Sequence, residues 1–160
     1  MAESTLNVAA VELMEELLVG PDPKWTWIVS NEPNSGVLGV LEGLSAEHAS
    51  TPPAPGRRSA AAHAGHLLFA LDAATRRLRG ENPQLDWDAS WNKSAVTSAE
   101  WDKLRRDLRA ELQRLREVIL AHHGEWEPMA LKGIIATVGH TAYHLGAIRQ
   151  ILPLSRVGVE

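Results

Sequence analysis

Near its C-terminal end the chain reads GHTAYHLGAIRQIL, which sets His140 and His144 four residues apart. On a helix that spacing projects both imidazoles from one face, with Cβ atoms roughly 5–6 Å apart, close enough to grip a single cation. Ile134, Val138, Leu145, Ile148 and Ile151 form an apolar stripe on the same helical wheel, and both histidines lie at its edge beside Thr137 and Ile148. A solvated pair would lie opposite the stripe, so this face points partly inward. Taken alone, the pair also reads as two hydrogen-bonded core histidines. A second periodic segment, SAAAHAGHLLFALDAATRRL, adds His63 and His66, with His66 at the edge of a stripe continued by Ala70, Leu71, Ala74 and Leu78. Zinc, nickel and iron(II) all accept neutral imidazole, and three nitrogens with one or two open positions is the usual form of a reactive metal site. His63 could ligate, orient a ligand from behind, relay a proton, or face solvent at the helix start.

The bulk composition bounds what such a site could serve. The chain has 160 residues, 44% hydrophobic and 22% charged, with a formal net charge of −4. That length can bury a core, and one domain over residues 1–160 is expected. The acidic balance argues against nucleic acid as a partner, since no dense Lys/Arg stripe supplies the phosphate-neutralising charge. Arg105, Arg106, Arg109, Arg114 and Arg116 interleave instead with Asp102, Asp107, Glu111 and Glu117, the pattern of a solvated helix face. With no cysteine, disulfides, thiolate ligands and a protein-borne thiol nucleophile are excluded. The N-terminal MAESTLNVAAVELMEELLVG carries Glu3, Glu12, Glu15 and Glu16 where a signal peptide needs a positive start and an unbroken apolar run. No window approaches a membrane span, so no membrane partner and a cytoplasmic location are expected.

Helical period recurs along the chain and strand alternation is nearly absent, with only WTWIV at 25–29 looking extended. An all-α chain follows. A first helix is predicted over 5–19, stopped by Gly20, Pro21 and Pro23, and a second piece over 35–48. Between them PDPKWTWIVSNEPN reads as a packed irregular insert carrying Trp25 and Trp27. Ser59 is the expected N-cap of the His63/His66 helix, which Gly80 ends. SAEW at 98–101 is an imperfect capping-box start, with Glu100 in the first turn. Trp101, Leu104, Leu108, Leu112, Leu115, Ile119 and His122 then form a core stripe six turns long, and the final helix begins near Met129.

The connection over roughly residues 80–97 is too long for a hairpin. Eighteen residues can stretch about 60 Å, whereas a helix of some 22 to 25 residues is about 33–38 Å long. The chain can therefore cross the whole bundle, which permits an up-down-down-up order with the second and third long helices parallel. Trp87 and Trp91, in DWDASW, suggest that this crossover packs against the bundle, either as simple anchoring or as a lid over one end.

Three motifs in order resemble those of the DinB-like, or YfiT-like, four-helix bundles. They are LEGLSAEHASTPPAPGRRS, a helix end followed by a Pro/Gly loop and a Ser-led helix; HAGHLLFAL; and the final HTAYHLGAIRQ. The likeness runs from the GVLGVLEGLS segment to the end, while the Trp25/Trp27 insert splits what is nearly one helix elsewhere in the family. The resemblance implies an up-down-down-up bundle whose metal is held by one histidine of the second helix and two of the last, by position His66, His140 and His144.

The same resemblance implies an S-transferase or isomerase using a low-molecular-weight thiol of the bacillithiol or mycothiol type, and a homodimer. A cation with an open position lowers the pKa of a bound thiol, and metal-bound water would serve a hydrolase equally well. Arg149, one turn beyond the ligands, could pair with an anionic thiol or with an acid on a partner chain. Asp72 falls beside Arg76 and Arg77 on the outer face, a surface ion pair, and core packing is expected for Tyr143. Three functions stay open at this point: a metal-dependent enzyme acting on a small-molecule electrophile, a non-catalytic metal-binding stress-response protein, and a metal-free dimeric helical module. A site opening to a pocket marks the first, and a closed or plugged one the second.

Overall fold

A computed structural model of the chain describes residues 4–21 and 25–152. Pro23, one of the expected stops of the first helix, and Glu3 lie outside the described residues, as does the chain beyond Leu152. Among the described residues six α-helices form: α1 (Thr5–Leu18), α2 (Val37–Glu42), α3 (Ala46–Ser50), α4 (Ala60–Leu78), α5 (Ser98–Leu120) and α6 (Pro128–Ile151). The expected 35–48 helix is thus two short ones. Gly43 and Leu44 break it, and Ser45 caps the second by accepting the His48 N–H at 3.2 Å.

Local chemistry sets the long helices. Ser59 accepts the Ala62 N–H at the start of α4, and Gly80, at φ 81°, turns the chain away at its end. The α5 cap lies one residue before the expected one. Thr97 and Glu100 have the T-x-x-E spacing that a capping box requires, and both of its reciprocal bonds are made. Pro128, which needs no N–H partner in the first turn, starts α6. Trp101, Leu108, Leu112, Leu115 and Ile119 are buried as the stripe predicts. His122 falls past the end of α5 and stacks on Trp126, with centroids 3.5 Å apart.

The four long helices close a ring in the order α1, α5, α4, α6. Their directions follow from which ends touch. The start of α4 meets the start of α5, where Ser59 Oγ donates to the Ser94 carbonyl at 2.6 Å, and further along Thr75 Oγ1 donates to Glu111 Oε1 at 2.5 Å. Those two helices are therefore parallel. Asn7, near the start of α1, donates to the carbonyls of Ile119 and His122 at the end of α5, which makes α1 and α5 antiparallel. Asn7 also accepts from Trp126 Nε1 at 2.7 Å, placing the start of α6 beside the start of α1. Up, down, down, up is the result, with residues 79–97 crossing the length of the bundle and containing one short 3₁₀ helix (Ala89–Trp91).

Two expectations change here. Residues 27–29 bend instead of extending, because the Glu16 carboxylate gathers the backbone N–H groups of Trp27, Ile28 and Val29 at 2.6–3.0 Å. A strand would hold those donors pointing to alternate sides. Glu111 also leaves the solvated face assigned to it. It is 1% exposed, accepting from Thr75 and paired with Arg114 at 2.5 Å. Arg105 pairs with Asp102 within the charge pattern of that face, and Arg109 with Glu42 of α2, which lies outside it.

Candidate metal centre

The first two turns of α4 carry His63 and His66, and α6 runs past them in the opposite direction with His144 beside His63 and His140 beside His66. His144 is the hub. Its Nε2 lies 3.0 Å from His140 Nε2, and its Nδ1 lies 3.0 Å from His63 Nδ1. One nitrogen each from His66, His140 and His144 fall within 4.8 Å of one another. Two imidazole nitrogens bound at 2.0–2.1 Å to one tetrahedral zinc stand about 3.3 Å apart, so the His140–His144 spacing fits a shared ion with an adjustment of a few tenths of an ångström. The three residues singled out by sequence come together, and the donor set is all imidazole. His63 joins them on the far nitrogen of His144, the position of a group that orients a ligand from behind.

Burial makes these imidazoles neutral. His144 is fully buried and His66 and His63 nearly so, while His140 is half-buried. Loss of water pushes all four below the usual histidine range. The neighbouring His140, His63 and Arg58 reinforce this at His66, which falls to about 4, and His140, His63 and His66 do so at His144, which falls to about 3. At neutral pH every ring therefore carries one lone pair, as a metal ligand must.

The crossover closes over this cluster. Trp91 stacks on His66 with centroids 3.8 Å apart and planes 14° from parallel, and meets His63 edge-on at 5.4 Å. Arg58 sits 4.6 Å from the Trp91 ring and donates to its carbonyl. Trp87 is anchored edge-on against Phe69 and stands 5.9 Å from His66. Sequence reasoning left these tryptophans as anchors or as a lid and missed that Trp91 rests on the His66 ring. It also missed Ser90, whose Oγ lies 2.6 Å from His66 Nδ1. The one legible signal for that turn is Asp86, which accepts the Ala89 N–H at 2.9 Å and fixes the start of the 3₁₀ helix.

Other candidates fall elsewhere. Tyr143 is 63% exposed, edge-on to His144 at 5.0 Å, so its expected core packing is corrected: it follows the outward face of α6. Arg149 donates to the Ser35 carbonyl, tying the end of α6 to the segment before α2. Asp72 makes the expected surface pair with Arg76, at 4.0 Å, although Arg76 binds Glu81 more closely at 2.7 Å. A cleft of about 1080 Å³ opens away from the histidines, between α1, the insert and α5, lined by Glu12, Glu15, Trp25, Trp27, Arg106 and Arg109 among others.

Among known proteins, residues 34–148 match the model of the DinB superfamily. No curated protein and no solved structure matches the chain.

Proposed function

The chain belongs to the DinB superfamily, and from that premise we propose that it is a divalent-metal protein in which His66, His140 and His144 hold zinc, nickel or iron(II) for work on a small molecule. The observation that carries this reading is the convergence of three neutral imidazoles from two distant segments within 4.8 Å. Three buried histidines and a half-buried fourth, all with depressed proton affinity, serve no packing need that leucine would not meet better, whereas a cation converts their lone pairs into cohesion.

A cation at this site would lower the pKa of a low-molecular-weight thiol, of the bacillithiol or mycothiol type, or of water, and so supply a nucleophile near neutral pH for a small electrophile. The chain's own part is to hold the rings. His63 fixes the far nitrogen of His144, and the Trp91 indole covers His66. A specific observation also favours the non-catalytic reading, a stress-response metal holder. The cluster lies beneath the crossover, with only His140 half-exposed, while the large cleft lies elsewhere.

A homodimer belongs to the same proposal. Supporting it, α6 carries Met129, Ile135 and Tyr143 exposed on its outer side, and a helix apolar all round is usually covered all round. Light scattering in solution tests that part: a monomeric mass would remove it. No helix among the described residues is long and apolar enough to cross a membrane.

Metal analysis of untagged protein tests the core of the proposal. Wild type is expected to carry close to one divalent ion per chain and His140→Ala far less; equal content in both would sink the site. Conjugation of a small electrophile with several biological thiols then separates enzyme from holder. Turnover that disappears in His140→Ala marks the first, and silence with every thiol the second.

A further inference from the structure

Beside Trp91, a second crossover side chain meets the metal-site histidines, Ser90, and its hydrogen can be placed by counting. Ser90 Oγ stands 2.5 Å from the Trp87 carbonyl oxygen and 2.6 Å from His66 Nδ1. A carbonyl oxygen only accepts. At 2.5 Å two oxygens facing each other with lone pairs alone would repel, so the single hydroxyl hydrogen lies between them. Ser90 Oγ then has only lone pairs to offer His66, and His66 Nδ1 must carry the proton. A neutral imidazole has one N–H, and His66 Nε2 is left bare.

We infer that Ser90 is a positioning residue that fixes His66 in its Nδ1–H tautomer and thereby selects Nε2 as the nitrogen offered to a cation. The device is held from three sides. Asp86 caps the turn and its carbonyl accepts the Ser90 N–H at 3.2 Å. Arg58 binds the Trp91 carbonyl, and Ser59, the α4 cap, binds the Ser94 carbonyl at 2.6 Å. Trp91, the next residue, stacks on the His66 ring and sets its plane. Without Ser90 an imidazole distributes its proton over both nitrogens, and each ring caught with hydrogen on Nε2 must change tautomer before it can ligate. Partners of this kind are typically worth about 10–100-fold in metal affinity. The crossover is by this account part of the metal centre as well as its cover.

The inference deepens the metal-site reading above, but its first test does not depend on it. Long-range ¹H–¹⁵N correlation spectra of the metal-free full chain near pH 7 report which His66 nitrogen bears hydrogen. Wild type is expected to show Nδ1–H, Ser90→Ala a mixture, and Ser90→Thr, which keeps the hydroxyl, Nδ1–H again. A wild-type proton on Nε2 overturns the inference, whether or not the variants fold. Zinc titration against a chromophoric chelator then reads the consequence. Ser90→Ala should bind about 10–100-fold more weakly and Ser90→Thr should recover most of the loss. Wild-type affinity in a folded Ser90→Ala overturns the functional half. Absence of zinc binding by the wild type removes the metal reading and leaves the tautomer result standing on its own.

Discussion

The molecule contains two irregular segments, each carrying two tryptophans, and it uses them in opposite ways. Residues 25–35 wrap a single carboxylate. Glu16 accepts three consecutive backbone N–H groups, while Trp25 and Trp27 stay 61% and 74% exposed and meet each other edge-on at 5.5 Å. Residues 86–91 organise around their own capped turn and direct side chains inward, Ser90 to one ring atom of His66 and Trp91 to its face. The first is backbone satisfied by a side chain; the second is side chains placed by backbone. That difference separates a segment needing only to be folded from one able to influence chemistry, although a cleft of about 1080 Å³ adjoins the first.

The largest expected effect falls on the first segment. Glu16 is 7% exposed, and Glu16→Ala would strip the acceptor from three N–H groups, costing about 3 kcal/mol of stability in chemical denaturation. Metal content should stay at the wild-type level. If it falls in the folded variant, the two regions are coupled and the contrast drawn above fails.

Acid separates the regions next. In the metal-free chain the four imidazoles of the cluster sit below the ordinary histidine value of 6.5, His66 at about 4 and His144 at about 3. Between those values and 6.5 the unfolded chain binds protons that the folded chain refuses. Stability is therefore complete above about pH 6.5 and declines as pH falls toward 4 and 3. Burial by itself would raise the Glu16 carboxyl, but the N–H groups of Val29, Ile28 and Trp27 outweigh it and hold the group below its ordinary 4.5. Its contribution is present above pH 4.5 and vanishes as pH drops through the folded value. Melting temperatures between pH 7 and 5 should thus fall through the histidines alone. His144→Asn should make that upper arm shallower, and Glu16→Ala should lessen the loss below pH 4.5; an upper arm unchanged in His144→Asn would contradict the burial of the cluster.

What sequence could read follows from how far each determinant acts. The i, i+4 pair of His140 and His144, the edge position of His66 and the Thr97–Glu100 spacing are local, so periodicity exposes them or puts them within a residue. Connection length against helix length permitted the parallel α4–α5 pair, and the resemblance implied it. Glu16 and Ser90 act across 11 to 13 and 24 residues, through irregular backbone with no period to detect. Glu111 was misread for a related reason. Its spacing of three from Leu108 and four to Leu115 sets it at the edge of the core stripe, which the interleaved charges around it conceal, and Thr75 from α4 meets it there.

The smallest effects sharpen the contrast between the tryptophans. Trp91→Ala removes the ring stacked on His66 and the seat of Arg58, so zinc affinity should fall by about tenfold, with about 1–2 kcal/mol of stability lost for a half-buried aromatic. Trp27→Ala removes a side chain largely in water. Its backbone N–H, the part that Glu16 holds, survives the substitution, so stability should change by no more than about 0.5 kcal/mol and zinc affinity not at all. The pair of measurements is informative because the residues are chemically identical and differ only in what they touch. Equal zinc losses in the two variants would mean that indole removal acts through the fold as a whole, and the crossover would lose its special relation to His66.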